Sequence, residues 1–286
     1  LRRIYMGVRK PWVAGSFYPA DPERLRRSVE DCFTHRLGPG AVPPRRGKER
    51  RIVGLISPHA GYIYSGPVAA HGYYHLALDG KPSTLIILGP NHTGLGSPVA
   101  MMREGSWETP LGVVEIDGEL ADAIFKASDI IDVDEMAHLR EHSIEVQLPF
   151  LQYLYGSDFR FVPISMGLQD LETSRAVGRA IAHAAEGREL VVVASTDFTH
   201  YEPQSTAESK DRRVMEAILS LDEEGVQRTV RRYGVSMCGY GPVSAAITAA
   251  RQLGASSAKL LAYHTSGDIT GDYSAVVGYA SIKLTR

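Results

Sequence analysis

What most constrains the fold of this chain is a regular alternation between two hydrophobic periods. Short β-branched runs at residues 52–56, 84–88, 159–165, 190–194 and 259–263 predict buried strands. Between them, apolar residues recur at helical spacing over 68–78, 118–127, 144–155, 171–185, 209–219, 223–232 and 243–253. A helix over 24–33 comes first, runs at 98–102 and 113–116 predict a hairpin after the second main strand, and 275–284 predicts a closing strand. Strands that alternate with helices imply the α/β class, with a mostly parallel central sheet flanked by helices on both faces. Residues 38–51, rich in proline and glycine and then basic, read as a surface loop, so 1–286 is expected to form a single domain. Its hydrophobic content of 44% is enough for a large core.

The 31 basic and 33 acidic residues leave a net charge of −2, which speaks against nucleic acid or an anionic membrane as partner and for a small molecule or a protein. No apolar run approaches the roughly 18 residues of a spanning helix, and no signal-peptide pattern opens the chain, so a cytoplasmic protein is expected. Cys32 and Cys238, the only two cysteines, make no secreted disulfide framework and are read as free thiols.

In open α/β sheets, ligands gather beyond the carboxyl ends of the strands. Those ends read Ser57-Pro58-His59-Ala60-Gly61-Tyr62, Gly89-Pro90-Asn91-His92-Thr93-Gly94, Ser195-Thr196-Asp197-Phe198-Thr199-His200 and Tyr263-His264-Thr265. Each carries one of the chain's ten histidines, and imidazole is the commonest metal ligand and base near neutral pH. His59 and His92, in proline-containing loops after successive strands, are candidate metal ligands on one rim. The bland alternative for either is turn punctuation, with the ring capping a helix or bonding a carbonyl. Cys238, in Met237-Cys238-Gly239-Tyr240-Gly241-Pro242 before a helix, is a thiolate ligand or nucleophile, or else a small buried hydrophobe.

Other residues carry weaker signals. Cys32 shares a helical face with Leu25 and Val29 and reads as packing. His71 and His75 are four apart, but they lack the glutamate of a zincin helix and also read as packing. His35, His138 and His183 suggest no function, and His264 is a rim candidate. Glu141-His142-Ser143-Ile144-Glu145 is either a helix start capped by Ser143 or a segment that sets His142 over the rim. Asp197 shares a loop with His200, where the carboxylate either orients the imidazole or caps backbone.

With Ala14-Gly15-Ser16-Phe17-Tyr18, these segments resemble the Memo family, of the type called protein B of the AmmeMemoRadiSam system. That family's pattern joins Pro-His-Ala-Gly-Tyr, Gly-Pro-x-His, Glu-His-Ser-Ile-Glu, Ser-x-Asp-Phe-x-His and a Cys-Gly before proline, and the likeness runs along almost the whole chain. The resemblance implies a fold like that of the class III extradiol dioxygenases. By it, His59 and His92 take the two histidine ligand positions, Cys238 stands near the carboxylate position, His200 takes the acid–base position and His142 lies beside the substrate. Asp197 joins them as a candidate catalytic residue. The implied cofactor is a transition metal, iron(II) first and copper or zinc next. A thiolate in place of a carboxylate softens the site and counts against catechol cleavage. The implied function is metal-dependent redox or oxygen chemistry on an unspecified substrate, with a metal-stabilised adaptor or assembly protein, or a metal-assisted hydrolase, as alternatives. Radical S-adenosylmethionine and AMMECR-type proteins are the implied partners.

Overall fold

Continuous apolar runs along the central strands, buried at every position, dictate a sheet that must be covered on both sides. The computed structural model describes residues 7–44, 47 and 49–286. The basic residues at 45, 46 and 48 of the expected loop lie outside these. In chain order the strands are β1 (Val8–Arg9), β2 (Ile52–Ser57), β3 (Thr84–Pro90), β4 (Val99–Met101), β5 (Ser106–Thr109), β6 (Gly112–Ile116), β7 (Asp132–Val133), β8 (Arg160–Met166), β9 (Leu190–Ser195), β10 (His200–Glu202), β11 (Ser257–Thr265) and β12 (Val276–Thr285). The helices are α1 (Pro22–Thr34), α2 (Tyr62–Asp79), α3 (Gly118–Lys126), α4 (Leu148–Tyr155), α5 (Leu171–Ala184), α6 (Gln204–Leu219), α7 (Glu223–Tyr233), α8 (Tyr240–Gln252) and the single turn α9 (Gly267–Thr270).

Strands β6, β8, β3, β9 and β2 run parallel in that spatial order, and β12 joins antiparallel to β2. The fold is therefore α/β with a large mixed, mostly parallel sheet and flanking helices. Successive side chains of a strand point to opposite faces. Accordingly Leu85, Ile87, Val191 and Val193 pack with α1, α2 and α4, while Ile86, Leu88, Val192 and Ala194 pack with α3, α5, α6, α7 and α8. Helix starts are set locally: Asp21, Asp117, Asp170 and Asp222 each accept a backbone N–H in the first turn of α1, α3, α5 and α7.

Four expectations need correction. The runs at 98–102 and 113–116 do not form a hairpin with each other: β4 pairs with β8 and β7, and β6 turns back on β5. The 259–263 strand is longer than its apolar run and half-exposed, because β11 lies outside β12 with no strand beyond it among the described residues. Helix α2 begins at Tyr62 and carries Pro67 inside it. Ser143 caps nothing; its hydroxyl donates to the Pro90 carbonyl (3.1 Å), a 3-10 turn follows at Glu145–Gln147, and α4 starts only at Leu148.

Close backbone approach holds this end of the sheet together. A Cβ on Gly89 would stand 2.3 Å from Ser143 Oγ, and one on Gly239 would stand 2.5 Å from the Ser195 carbonyl oxygen. Only glycine lets β3 touch the 141–145 segment and lets the Cys238 turn lie on the end of β9. Among the described residues, no helix is long and apolar enough to cross a membrane.

Candidate metal centre

Three adjacent parallel strands deliver the site. β2 ends in the loop bearing His59, β3 runs into Asn91-His92, and β9, lying between them, ends at Ser195 before Asp197. Cys238 reaches the same rim from the turn before α8. One donor atom from each of His59, His92 and Cys238 lies within 4.8 Å of the others, so this group can hold a metal. Cys238 Sγ is 3.2 Å from His59 Nε2, and the His59 and His92 ring centroids are 5.2 Å apart, edge to face.

Hydrogen bonds fix which ring nitrogen faces the centre. Ser195 donates its single hydroxyl hydrogen to the Ser143 carbonyl (2.6 Å), so its oxygen can only accept from Gln147 Nε2 (2.8 Å) and from His59 Nδ1 (2.8 Å). His59 thus carries its proton on Nδ1 and keeps the Nε2 lone pair. His92 Nδ1 donates to Glu141 Oε1 (2.9 Å) and its backbone N–H to Oε2 (2.6 Å), which leaves its Nε2 free as well. A carboxylate or hydroxyl behind each imidazole is the arrangement that orients ligating histidines. A site of two imidazoles and a thiol suits a transition metal rather than calcium or magnesium.

Burial separates the two rings. His59 is 2% exposed, and desolvation, followed by the charges of His142, His92 and His200, holds its pKa well below the ordinary range. His92 is 35% exposed; burial works against its proton, but the Glu141 carboxylate outweighs that and raises its pKa. Burial likewise opposes the charge on Glu141, yet the His92 hydrogen bond and neighbouring positive charge bring it down to about 2. Cys238 departs from the helix-terminus expectation: burial, then the Asp197 charge, pushes its thiol up, although the Asp197 N–H points at the sulfur (3.2 Å). A bound cation is what would favour the thiolate here.

The remaining candidates line the same rim. The His142 ring lies 4.7 Å from His92 and 5.4 Å from His59, and burial lowers its pKa to about 4. Asp197 does not hydrogen-bond His200. Its Oδ1 takes the His59 backbone N–H (2.8 Å), Oδ2 stands 3.9 Å from His59 Nε2, and burial raises its pKa to about 6. His200 instead directs Nδ1 to the Ser236 carbonyl (2.8 Å). His264 pairs with Asp268 (3.5 Å), His71 with the Leu37 carbonyl, and Cys32 is buried; none of the three belongs to a ligand group among the described residues. Sequence reasoning missed Ser195 and Glu141 as the groups behind the imidazoles, although both stand in segments it singled out.

Comparison with known proteins gives a consistent result. The profile of Memo-like proteins matches residues 9–283. MEMO1 family proteins of Methanopyrus kandleri and Methanothermobacter thermautotrophicus are 58% and 56% identical, over 97% and 96% of this chain and 99% and 100% of theirs. One from Sulfolobus acidocaldarius is 48% identical over 97% of this chain and 99% of its own. The crystal structure of an uncharacterized protein from Escherichia coli K12 superposes with a TM-score of 0.55 over 82% of this chain and 99% of that one, at 14% identity, which speaks to fold alone. On the match from 9 to 283 and on relatives more than half identical over nearly their full length, this chain belongs to the Memo family.

Proposed function

We propose that this protein holds a transition metal ion on His59, His92 and Cys238 and uses it in redox or oxygen chemistry on a small molecule, with iron(II) as the first candidate and copper or zinc next. The observation that carries the reading is the pair of Nε2 lone pairs, each fixed by a partner behind its ring, facing one thiol. When bound, the metal supplies a Lewis acid and, if iron or copper, a one-electron couple. The protein's own groups supply the rest. The exposure of His92 leaves a way in for a ligand, while the buried His59 and Asp197 keep the inner side dry. With Nδ1 engaged, His200 offers Nε2 for proton transfer, Asp197 presents Oδ2 beside the donor atoms, and His142 stays neutral as a hydrogen-bonding ring.

Anaerobic metal analysis after identical loading tests this in the wild type and in His59→Ala, His92→Ala, Cys238→Ser and His200→Gln. The first two should lose most of the metal, and Cys238→Ser should lose copper(I) and zinc before iron(II). His200→Gln should keep its metal. Equal metal in all five proteins would remove the site.

A further inference from the structure

Two segments marked in the sequence have no part in the metal reading: residues 14–18 and Glu145. The structure joins them. Glu145 is fully buried, and four donors from the N-terminal strap converge on its carboxylate: Arg9 Nη1, the backbone N–H groups of Trp12 (2.8 Å) and Val13 (3.0 Å), and the Tyr18 hydroxyl (2.6 Å). Arg9 is 1% exposed and directs Nε to the His138 carbonyl (3.0 Å) and Nη2 to the Glu141 carbonyl (2.7 Å). Glu141 is the residue whose carboxylate holds His92. At the other end of the strap, the Phe17 carbonyl accepts the N–H of Tyr62, the first residue of α2 after the His59 loop (2.8 Å). The Phe17 ring lies 4.7 Å from that of His142.

The strap therefore grips both segments that carry imidazoles, while none of Arg9, Phe17 and Glu145 belongs to a ligand group among the described residues. Fastening alone does not account for this design, because a buried ion pair loses solvation and apolar packing would hold the strap as well. What the charged cluster adds is direction. It sets the backbone at Glu141 to one position relative to the strap, and so sets the carboxylate behind His92.

We propose that residues 8–18 are the positioning element of the metal centre: through Arg9, Glu145 and Phe17 the strap sets His92 and His142 in place, and metal binding tightens the strap in return. This rests on the metal reading above. Arg9 and Glu145 are positioning residues that act through Glu141, and Phe17 acts on His142. The reciprocity is required by linkage: a strap that raises metal affinity must itself be held more firmly when metal is bound.

Hydrogen exchange of the full chain with and without zinc(II), together with a zinc competition titration, tests the proposal in the wild type, Glu145→Gln, Glu145→Asp and Phe17→Ala. In the wild type, zinc should slow exchange across residues 10–18 several-fold. Glu145→Gln should bind zinc about tenfold more weakly, the low end for residues that orient ligands, and should lose that slowing while β3 and β9 stay protected. Glu145→Asp should recover part of both. If Glu145→Gln fails to fold, Phe17→Ala decides, since it leaves the four donors on Glu145 in place and should also lose the zinc response. Zinc binding to the wild type with no change in strap exchange overturns this inference and leaves the metal reading standing, as does a full response retained in both Glu145→Gln and Phe17→Ala. Absence of zinc, iron(II) and copper(I) binding in the wild type overturns the metal reading, and the positioning role falls with it.

Discussion

His138 lies outside the candidate ligand set, yet its environment makes it a sensor of pH for the fold. The ring is fully buried against Trp107, 5.7 Å away, and the Arg9 guanidinium sits over the same indole at 4.2 Å. Burial, then the Arg9 charge, lowers its pKa to about 4 from an ordinary 6.5. Between those values the unfolded chain binds the proton and the native one does not. Its contribution to stability is thus complete above 6.5 and lost as pH falls through 4, a change of about 3 kcal/mol. His138→Leu should make the pH dependence of urea unfolding free energies shallower across this window, and a slope as steep as that of the wild type would refute the assignment. Cys238 shows the same competition from the other side. Its place before a helix is legible in the sequence and lowers a thiol pKa, whereas burial and Asp197 exist only in the folded molecule and raise it. His59 and His92 were legible as candidates because each closely follows an apolar run, and the carboxyl ends of parallel strands share one edge of the sheet.

At the scale of elements, the contact between β3 and the 141–145 segment is the most sensitive joint. Gly89→Ala would press a methyl group onto Ser143 Oγ and Ile144 Cγ1, at 2.3 and 2.9 Å, and neither belongs to a side chain free to swing away from the sheet. We expect a loss of about 1–3 kcal/mol in unfolding free energy, as for other overpacked sites. Zinc affinity should fall as well, because Glu141 rides on the displaced segment. A variant that binds zinc like the wild type would show that the segment absorbs the methyl group without moving Glu141. The long helices were readable because their periodicity extends over three turns or more. The β5–β6 hairpin was not: β5 has four residues, too few to display a period, and its buried Trp107 is explained by Arg9 and Phe161, which are distant in sequence. The start of α2 was hidden because Pro67 looks like a boundary, although the helix continues through it.

For the whole molecule, a ligand that binds only the native state adds stability in proportion to the logarithm of its concentration. Zinc at a hundredfold excess over its dissociation constant should therefore raise the unfolding free energy by about 2.7 kcal/mol in the wild type. The same zinc concentration should give a smaller increment in Cys238→Ser, and equal increments in urea titrations of the two would mean that the thiol does not contribute. The alternation of strands and helices disclosed the class of the fold, but not the placement of β9 between β2 and β3 or the antiparallel entry of β12, because spatial neighbours are chosen by packing between distant segments. That placement of β9 bears on how the protein is made. A chain emerging from the ribosome carries His59 and His92 long before it carries residues 190–195, and the two strands that bear those histidines reach their final spacing only when β9 enters between them. Cys238 emerges later still. A nascent chain thus offers scattered side chains and no finished pocket, and the three donors that could hold a metal come together only after the Cys238 turn has been made.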